Sequence, residues 1–234
     1  MMRILLSVFL VVFLFMTAPS TLHAQGAIYG FAGGLSYSSE QITGFQRQDF
    51  FRPHAIAFIE STSDISPNAL YARLGYHVKG AEIQTYTYYD EGNNPQPTEV
   101  PTMEFHNLSA SIGFKQRRPL GSLWYSYGFG LRLDYNLKAD YGKFFMALDG
   151  AENKFTYGVD VDVAMEFPLS EYVSAFIEFG VSPDLNEQIF IPLHNTGWYQ
   201  YNGVPISVGE TKLTHLVYEV RAGFRFWHKV IYTD

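Results

Sequence analysis

The chain has 234 residues, no cysteine and a formal net charge of −7 at pH 7. The absence of cysteine excludes a disulfide framework, a thiolate metal site and a cysteine nucleophile, and the acidic balance disfavours nucleic acid as a partner. Aromatic residues make up 17% of the chain, with 17 Tyr and 20 Phe. This bias towards strand-forming side chains predicts a large β domain.

The N-terminal segment is typical of a secretory signal peptide. Arg3 precedes an apolar run at residues 4–16, and Ala24 supplies a small residue after a short polar stretch. A charged start, a short apolar core and a small-residue exit form the signal-peptide pattern. A membrane anchor is the alternative, but the apolar run is short for a membrane helix. We predict that residues 1–24 are a signal peptide and that residues 25–234 form one barrel domain.

Eight later segments alternate between apolar and polar side chains with a period of two, which predicts eight strands. They lie at about 27–37, 54–62, 69–88, 103–117, 123–137, 154–167, 172–182 and 213–227. The connections after the second, fourth and sixth strands are short and rich in Pro, Gly, Ser and Asp, whereas the other connections are long and polar. One end of the predicted sheet therefore carries short turns and the other carries long loops.

The two faces of these strands differ sharply in chemistry. In the sixth segment, Tyr157 and Val161 share one parity with other apolar residues, whereas Asp160 and Asp162 share the other with Gly158. A soluble barrel or sandwich would bury the apolar face as its core. A membrane barrel would turn that face to lipid and enclose the polar face. The second segment is ambiguous because both of its parities are mostly apolar.

Glycines favour the membrane architecture. Seven of them lie on the polar face: Gly75, Gly113, Gly128, Gly130, Gly158, Gly180 and Gly223. The interior of an eight-stranded barrel is narrow and needs small residues between large ones, whereas an outer face has room for any side chain. The sequence therefore predicts an all-β fold, an eight-stranded antiparallel up-and-down transmembrane β-barrel with its polar face inside. The short turns and both termini would lie in the periplasm and the long loops outside the cell.

Charges of both signs on the polar face would have to pair inside a closed barrel. The predicted interior charge network consists of Arg73, Lys115, Arg132, Asp134, Asp160, Asp162, Glu166, Glu178, Glu219, Arg221 and Arg225. Aromatic side chains in the longest loop are candidates for extracellular contacts, because recognition residues often lie on loops held by a rigid frame. These candidates are Phe190, Trp198, Tyr199 and Tyr201. The same stretch also fits a β-hairpin that extends the seventh and eighth strands.

Three segments carry a resemblance to a known family. They are AIYGFAGGLSYSS after the leader, LYARLGYHVKGAEI with Lys79, Gly80 and Ala81 near its end, and EVRAGFRF close to the C-terminus. With them the mature chain resembles the PorT-like small outer-membrane β-barrel proteins of Bacteroidetes-type bacteria. The resemblance implies an eight-stranded barrel, and family members are largely of unassigned biochemical role.

We predict no catalytic, cofactor-binding or metal site. Asp184, Glu187 and His194 share the longest loop, and Asp90 and Glu91 share another, but no spacing fixes their geometry for catalysis. We interpret them as solvated loop residues.

The predicted function is that of a monomeric, non-enzymatic outer-membrane protein with a filled interior, in a structural or recognition role through its long loops. Its predicted partners are outer-membrane lipid and an extracellular ligand or envelope proteins. The alternatives are a transport or secretion accessory, including a narrow channel, an enzyme acting at the loop rim, and a soluble periplasmic ligand-binding barrel.

Overall fold

A computed structural model describes residues 26–40, 47–48, 50–62, 67–83, 88–89, 95–96, 102–141, 150–191, 198–201, 204–207 and 211–229. The predicted signal peptide lies outside these residues. Within them, no helix has the length and apolar character needed to span a membrane. The described residues include eight long strands: β1 (Gly26–Glu40), β2 (Phe50–Thr62), β3 (Asn68–Ile83), β4 (Thr102–Leu120), β5 (Leu123–Asp140), β6 (Phe155–Pro168), β7 (Val173–Pro183) and β8 (His215–Lys229).

These strands form one closed wall. Each pairs antiparallel with its neighbour in the chain, and β8 pairs with β1 from Gly26↔Lys229 to Glu40↔His215. Closure removes the free strand edges that an open sheet would expose. The predicted eight-stranded antiparallel up-and-down barrel is confirmed.

The third strand is shorter than predicted. The alternation continues to residue 88, but β3 ends at Ile83, and the short strand Tyr88–Tyr89 pairs with Pro95–Gln96 in a separate ribbon. A period of two marks extended backbone without specifying its partner, so the pattern ran past the barrel wall into this ribbon.

The short-turn end is held by local backbone geometry. Gly121 joins β4 to β5 with a φ of 63°, in the left-handed region that glycine adopts without strain. Between β6 and β7, the Ser170 hydroxyl oxygen accepts hydrogen bonds from the backbone N–H groups of Tyr172 and Val173. These compact turns fix the pairing register of their hairpins.

Most apolar side chains of the wall point away from the barrel, and most charged side chains of the wall point into it. Ile112 is 63% exposed and Phe129 is 42% exposed, whereas Lys115 and Asp134 are fully buried. The prediction that the polar face lies inside is therefore correct. In β2, whose two faces the sequence did not separate, Phe58 and Glu60 lie inside and Ala55, Ala57 and Ile59 lie outside.

Aromatic side chains ring the outer surface at both ends. The long-loop end carries Tyr37, Phe51, Tyr76, Tyr135, Phe155, Tyr157 and Tyr218, and the short-turn end carries Tyr29, Tyr125, Tyr172 and Phe226. Neighbouring rings touch, with centroids 5.2 Å apart for Tyr37 and Phe51 and 5.1 Å apart for Tyr135 and Phe155. Aromatic girdles on either side of an apolar band are typical of barrels in membranes.

Interior glycines make room for a large ring. Tyr71 on β3 is 3% exposed, and its ring lies against Gly113 on β4 and Gly130 on β5. A Cβ at Gly130 would lie 3.0 Å from Tyr71 Cζ and 2.8 Å from the Ile112 carbonyl oxygen, and it would also overlap the Tyr71 hydroxyl. The glycine positions on β4 and β5 therefore complement the bulky Tyr71 side chain of the adjacent strand β3.

We expect Gly130→Val to destabilise the barrel by about 1–3 kcal/mol or more, because overpacking forces the Tyr71 ring and the backbone to move. The control is Gly33→Val on the outer face, where a Cβ would meet only the His54 carbonyl oxygen at 3.7 Å. Urea unfolding of the lipid-reconstituted protein compares the two variants. Equal stability of both would contradict the packing described for Tyr71.

Candidate functional site

The lumen is filled by charged side chains. All eleven residues of the predicted interior network are buried there. The structure adds further titratable residues to them: His54, Glu60, His77, Lys79, Arg117, Asp184 and His215. Ion pairs divide most of these groups into two clusters, one towards each end of the barrel.

The turn-end cluster contains equal numbers of cations and carboxylates. Its members are Arg73, Lys115, Arg117, Arg221 and Arg225 together with Glu60, Asp162, Glu166, Glu178 and Glu219. Buried charges are tolerated when each is paired and hydrogen-bonded. Five charges of each sign make this cluster neutral as a unit.

Glu178 on β7 is the centre of the turn-end cluster. Its carboxylate lies 2.5 Å from Arg221 Nη2, 3.3 Å from Lys115 Nζ and 3.4 Å from Arg73 Nη2. Arg225 Nη2 is 3.7 Å away. Four cations from three strands therefore converge on one carboxylate, and this convergence ties β3, β4 and β8 to β7.

Aromatic rings cover the cations at the short-turn end. The Arg117 guanidinium lies 4.4 Å from the ring centroid of Trp227 and 5.6 Å from that of Trp124. Further inside the lumen, the Arg225 guanidinium lies 4.4 Å from the ring centroid of Phe176. The Phe176 ring in turn packs edge-on against the ring of Phe58. Such cation–π contacts stabilise a guanidinium where water is excluded. They also close the lumen towards the short turns.

The loop-end cluster is not balanced. It consists of Lys79, Arg132, Asp134, Asp160 and Asp184. Lys79 Nζ lies 2.7 Å from a carboxylate oxygen of Asp134 and 2.7 Å from one of Asp184. Arg132 contacts all three carboxylates, with Asp134 at 3.0 Å and Asp160 at 3.3 Å. Two cations therefore face three carboxylates.

The interpretation of Asp184 as a solvated loop residue is wrong. Its side chain is fully buried between Lys79 and Arg132. Its backbone N–H donates to the His215 carbonyl oxygen at 2.9 Å, and it forms a β-bridge with Gly158. Asp184 continues the inward parity of Glu178, Gly180 and Ser182 one step past β7, so its side chain reaches the lumen.

A hydrophobic cap lies above the loop-end cluster. Its buried members are Met103, Phe105, Tyr141, Ile189 and Leu213. A bulge at the pairing of β4 with β5 shifts the register at His106 and Asn107. Beyond the bulge, Ala139 packs against the cap, as does Ala151. The cap separates the charged lumen from the long-loop side.

Hydrogen bonds and an ion pair join the chain segments at the rim of this cap. The Tyr141 hydroxyl donates to Glu152 at 2.9 Å, and Lys154 Nζ lies 3.1 Å from the same carboxylate. Partial burial opposes ionisation of Glu152, but hydrogen bonds from its own backbone, Tyr141 and Lys154 outweigh that effect and lower its pKa. The Asn186 side chain accepts from the Tyr157 N–H at 2.7 Å. The segment after β7 is thereby fixed to β6.

A small polar cavity lies where the two clusters approach each other. Its volume is about 20 Å³, room for about one water molecule. Its lining residues include His54, His77, Ser109, Ser111, Arg132, Asp160, Glu219 and Arg221. The cavity is far smaller than the sites that hold drug-sized ligands.

The aromatic candidates of the longest loop lie on paired strands. Phe190 is 46% exposed in the strand Ile189–Ile191, which pairs with Thr211–Leu213, and Lys212 Nζ lies 5.6 Å from its ring centroid. Trp198–Tyr201 pairs with Val204–Ser207, as the β-hairpin interpretation predicts. The side chains of Trp198, Tyr199 and Tyr201, and all of His194, Asp90 and Glu91, lie outside the described residues.

No group of three metal-ligating side chains capable of holding an ion occurs among the described residues. No family model matches the sequence, and no curated protein matches it. Among solved structures, the attachment invasion locus protein Ail of Yersinia pestis, in complex with the heparin analogue sucrose octasulfate, is similar with a TM-score of 0.43 and 9% identity over 86% of this chain and 99% of that chain.

Two further solved structures are similar over most of the chain. Neisserial surface protein A gives a TM-score of 0.42 and 11% identity, covering 86% of this chain and 98% of that one. The E. coli outer membrane protein W gives a TM-score of 0.41 and 12% identity, covering 87% and 100%.

We expect Asp184→Asn to loosen the segment after β7, because Lys79 and Arg132 lose the carboxylate that anchors it. Removing one partner of a hydrogen-bonded buried charge costs about 1–3 kcal/mol or more. Limited proteolysis near residues 184–190 should become at least about tenfold faster. The control is Asp140→Asn, whose pair with Lys138 is more than half exposed and contributes little to stability. Unchanged cleavage in Asp184→Asn would contradict the anchoring role.

Proposed function

We propose that the protein is an integral outer-membrane barrel with a filled lumen, acting in a structural or recognition role through its long-loop surface rather than as an enzyme. The observation that carries the proposal is the inverted arrangement of side chains. Leu74 and Ile112 are more than 60% exposed on the outer wall, whereas Lys115 and Arg225 are fully buried inside. A water-soluble barrel would place these residues the other way round.

The closed wall supports a place within a bilayer. Every backbone polar group that faces lipid must be satisfied internally, and a closed barrel is the only β-structure that meets this condition. The apolar band lies between two aromatic girdles, which match the two interfaces of a membrane. We propose that residues 1–24 direct export, that the short turns face the periplasm and that the long loops face outward.

Closed ends support a scaffold rather than a pore. At the short-turn end the lumen is bounded by the rings of Trp124 and Trp227, and at the long-loop end it is bounded by the hydrophobic cap that contains Phe105. In planar bilayers bathed in KCl, the purified protein should show no discrete conductance steps. Reproducible openings would favour the narrow-channel alternative instead.

The hairpin beyond β7 supports a recognition role. Phe190 is exposed beside Lys212, and an aromatic ring on a paired strand offers a rigid contact surface. We propose outer-membrane lipid around the wall, an extracellular ligand or envelope proteins at this surface, and a monomeric barrel. Membership in the PorT-like family is part of the proposal and is supported by the three sequence segments that resemble it.

Protease treatment of intact cells tests the proposed location and orientation. Externally added protease should cleave within residues 183–212 and leave the barrel core intact. The membrane-extracted protein should migrate faster on gels before boiling than after it, as a folded barrel does, and its N-terminus should be Gln25. A mature chain that stays folded and soluble without detergent would contradict the proposal and favour a soluble periplasmic barrel.

A further inference from the structure

The two ion clusters of the lumen meet at His77 on β3. Its Nε2 lies 3.6 Å from Asp134 Oδ1 in the loop-end cluster, and its Nδ1 lies 3.8 Å from Glu219 Oε1 in the turn-end cluster. Among the ion pairs of the described residues, only those of His77 connect the two clusters. The ring is buried, with 4% of its surface exposed.

Carboxylates on both sides of this ring favour its cationic form. A neutral imidazole has one N–H donor and one acceptor nitrogen. Between Asp134 and Glu219, a neutral ring would therefore point a lone pair at one carboxylate. The imidazolium form carries a donor on each nitrogen and meets both carboxylates with the complementary charge.

The numbers of positive and negative charges in the two clusters also favour the cationic form of His77. The turn-end cluster is already neutral, whereas the loop-end cluster has one carboxylate more than it has cations. An uncompensated buried carboxylate is costly. A proton on His77 supplies the missing positive charge beside Asp134.

We propose that His77 is a proton-binding site of the lumen, occupied at neutral pH, and that its charge holds the loop-end cluster together. The third carboxylate of that cluster is Asp184, which anchors the segment after β7. This segment leads to the paired strands Ile189–Ile191 and Thr211–Leu213 on the long-loop side. Loss of the proton would leave that anchor without a balancing cation. Proton binding at His77 thereby controls how firmly the loop surface is fixed to the barrel.

Groups from seven of the eight strands or their ends surround this site. Charged or titratable neighbours are His54 from β2, Arg73 and Lys79 from β3, Arg132 and Asp134 from β5, Asp160 from β6, Asp184 after β7, and His215, Glu219 and Arg221 from β8. β4 contributes the uncharged Ser109 and Ser111 to the cavity. His54 Nδ1 hydrogen-bonds Glu219 at 3.1 Å within the balanced cluster, and His215 Nδ1 faces the Ser38 hydroxyl at 3.3 Å. The two nitrogens of His77 face one carboxylate from each cluster, so the missing charge is assigned to His77.

The adjacent cavity gives the site room for a water molecule beside the ring. It holds about one water molecule and is lined by both His54 and His77. Deprotonation of His77 at higher pH would remove the cation beside Asp134, so the stability of the barrel should fall when that proton is lost.

Nuclear magnetic resonance of ring-labelled histidine in the reconstituted full barrel tests the protonation state directly. At pH 7.5 an unperturbed imidazole is about nine-tenths neutral. We expect the His77 signal to show the imidazolium form at that pH. His77→Arg, which keeps a cation at the position, assigns the signal by its disappearance. A neutral His77 ring at pH 7.5 would overturn the proposal.

Asp184→Asn provides a second test, because it makes the loop-end cluster two against two without any contribution from His77. The His77 signal should then shift to the neutral form at pH 7.5. Glu171→Gln in the exposed turn between β6 and β7 is the matched control and should leave the signal unchanged. An imidazolium signal that persists in Asp184→Asn would refute the charge-balance argument.

Unfolding rates measure how far the stability of the barrel depends on the His77 proton. Between pH 6.5 and pH 8.5 the unfolding rate in urea should rise about tenfold more for the wild type than for His77→Arg, whose cation does not titrate in this range. Equal pH dependence of the two proteins would show that the His77 proton does not control the stability of the barrel. These results do not depend on whether the loops bind a ligand, so they stand apart from the proposed recognition role.

Discussion

Glu178→Gln is expected to destabilise the barrel by about 3–5 kcal/mol, the usual cost of leaving a buried charge without its partner. Glu178 contacts Arg73, Lys115, Arg221 and Arg225. Without its charge, the turn-end cluster holds five cations against four carboxylates. Tryptophan fluorescence during urea unfolding in lipid vesicles measures the loss.

Two comparisons make the Glu178 prediction specific. Glu104 at the rim pairs with Arg52, and the Glu104 side chain is 23% exposed. Glu104→Gln should therefore lower the stability of the barrel by no more than about 1 kcal/mol. Glu178→Gln combined with Arg221→Met restores equal numbers of charges and should recover part of the stability lost in the single variant. If Glu178→Gln were as mild as Glu104→Gln, the cluster would not be the structural centre of the lumen.

Ile112→Arg is expected to destabilise the barrel in lipid by about 2–4 kcal/mol, the cost of a lipid-facing arginine near the bilayer midplane. Ile112 lies midway along β4, next to Ala72 on β3 and Leu131 on β5, and is 63% exposed. Vesicle unfolding and the yield of heat-modifiable barrel both report the effect.

Leu185→Arg is the matched control for Ile112→Arg. Leu185 is similarly exposed, at 58%, but lies beyond the end of β7 on the long-loop side. It should change stability by no more than about 0.5 kcal/mol, as is usual for surface substitutions. If Ile112→Arg were equally mild and made the protein more soluble in water, the outer wall would not face lipid.

The sequence was sufficient to predict the barrel because alternation and glycine placement carry that information locally. Strict alternation in β6 separates Tyr157 and Val161 from Asp160 and Asp162 over a few residues. Glycines such as Gly113 and Gly130 showed which face is crowded, and Tyr71 occupies the space beside them. β2 remained ambiguous because its inward residues include Phe58, which packs against Phe176 rather than forming an ion pair.

The ion pairs could not be predicted because they depend on which walls face each other across the lumen. Lys79 and Asp184 are 105 positions apart in the sequence, and Lys79 and Asp134 are 55 apart. Only the closed register brings them together. Asp184 could have been assigned by extending the parity of β7, but its place in a long polar connection suggested solvent. His77 lay on the inward parity, yet the missing positive charge becomes apparent only once the clusters are known.

Accessibility of a spin label on the outer wall tests the central claim most directly. Because the chain contains no cysteine, Ile112→Cys carries a nitroxide at a single defined position in lipid vesicles. If the apolar face contacts the acyl chains, dissolved oxygen will relax the label strongly and a water-soluble nickel chelate will not reach it. Strong relaxation by the nickel chelate would place Ile112 in water and contradict the inverted barrel.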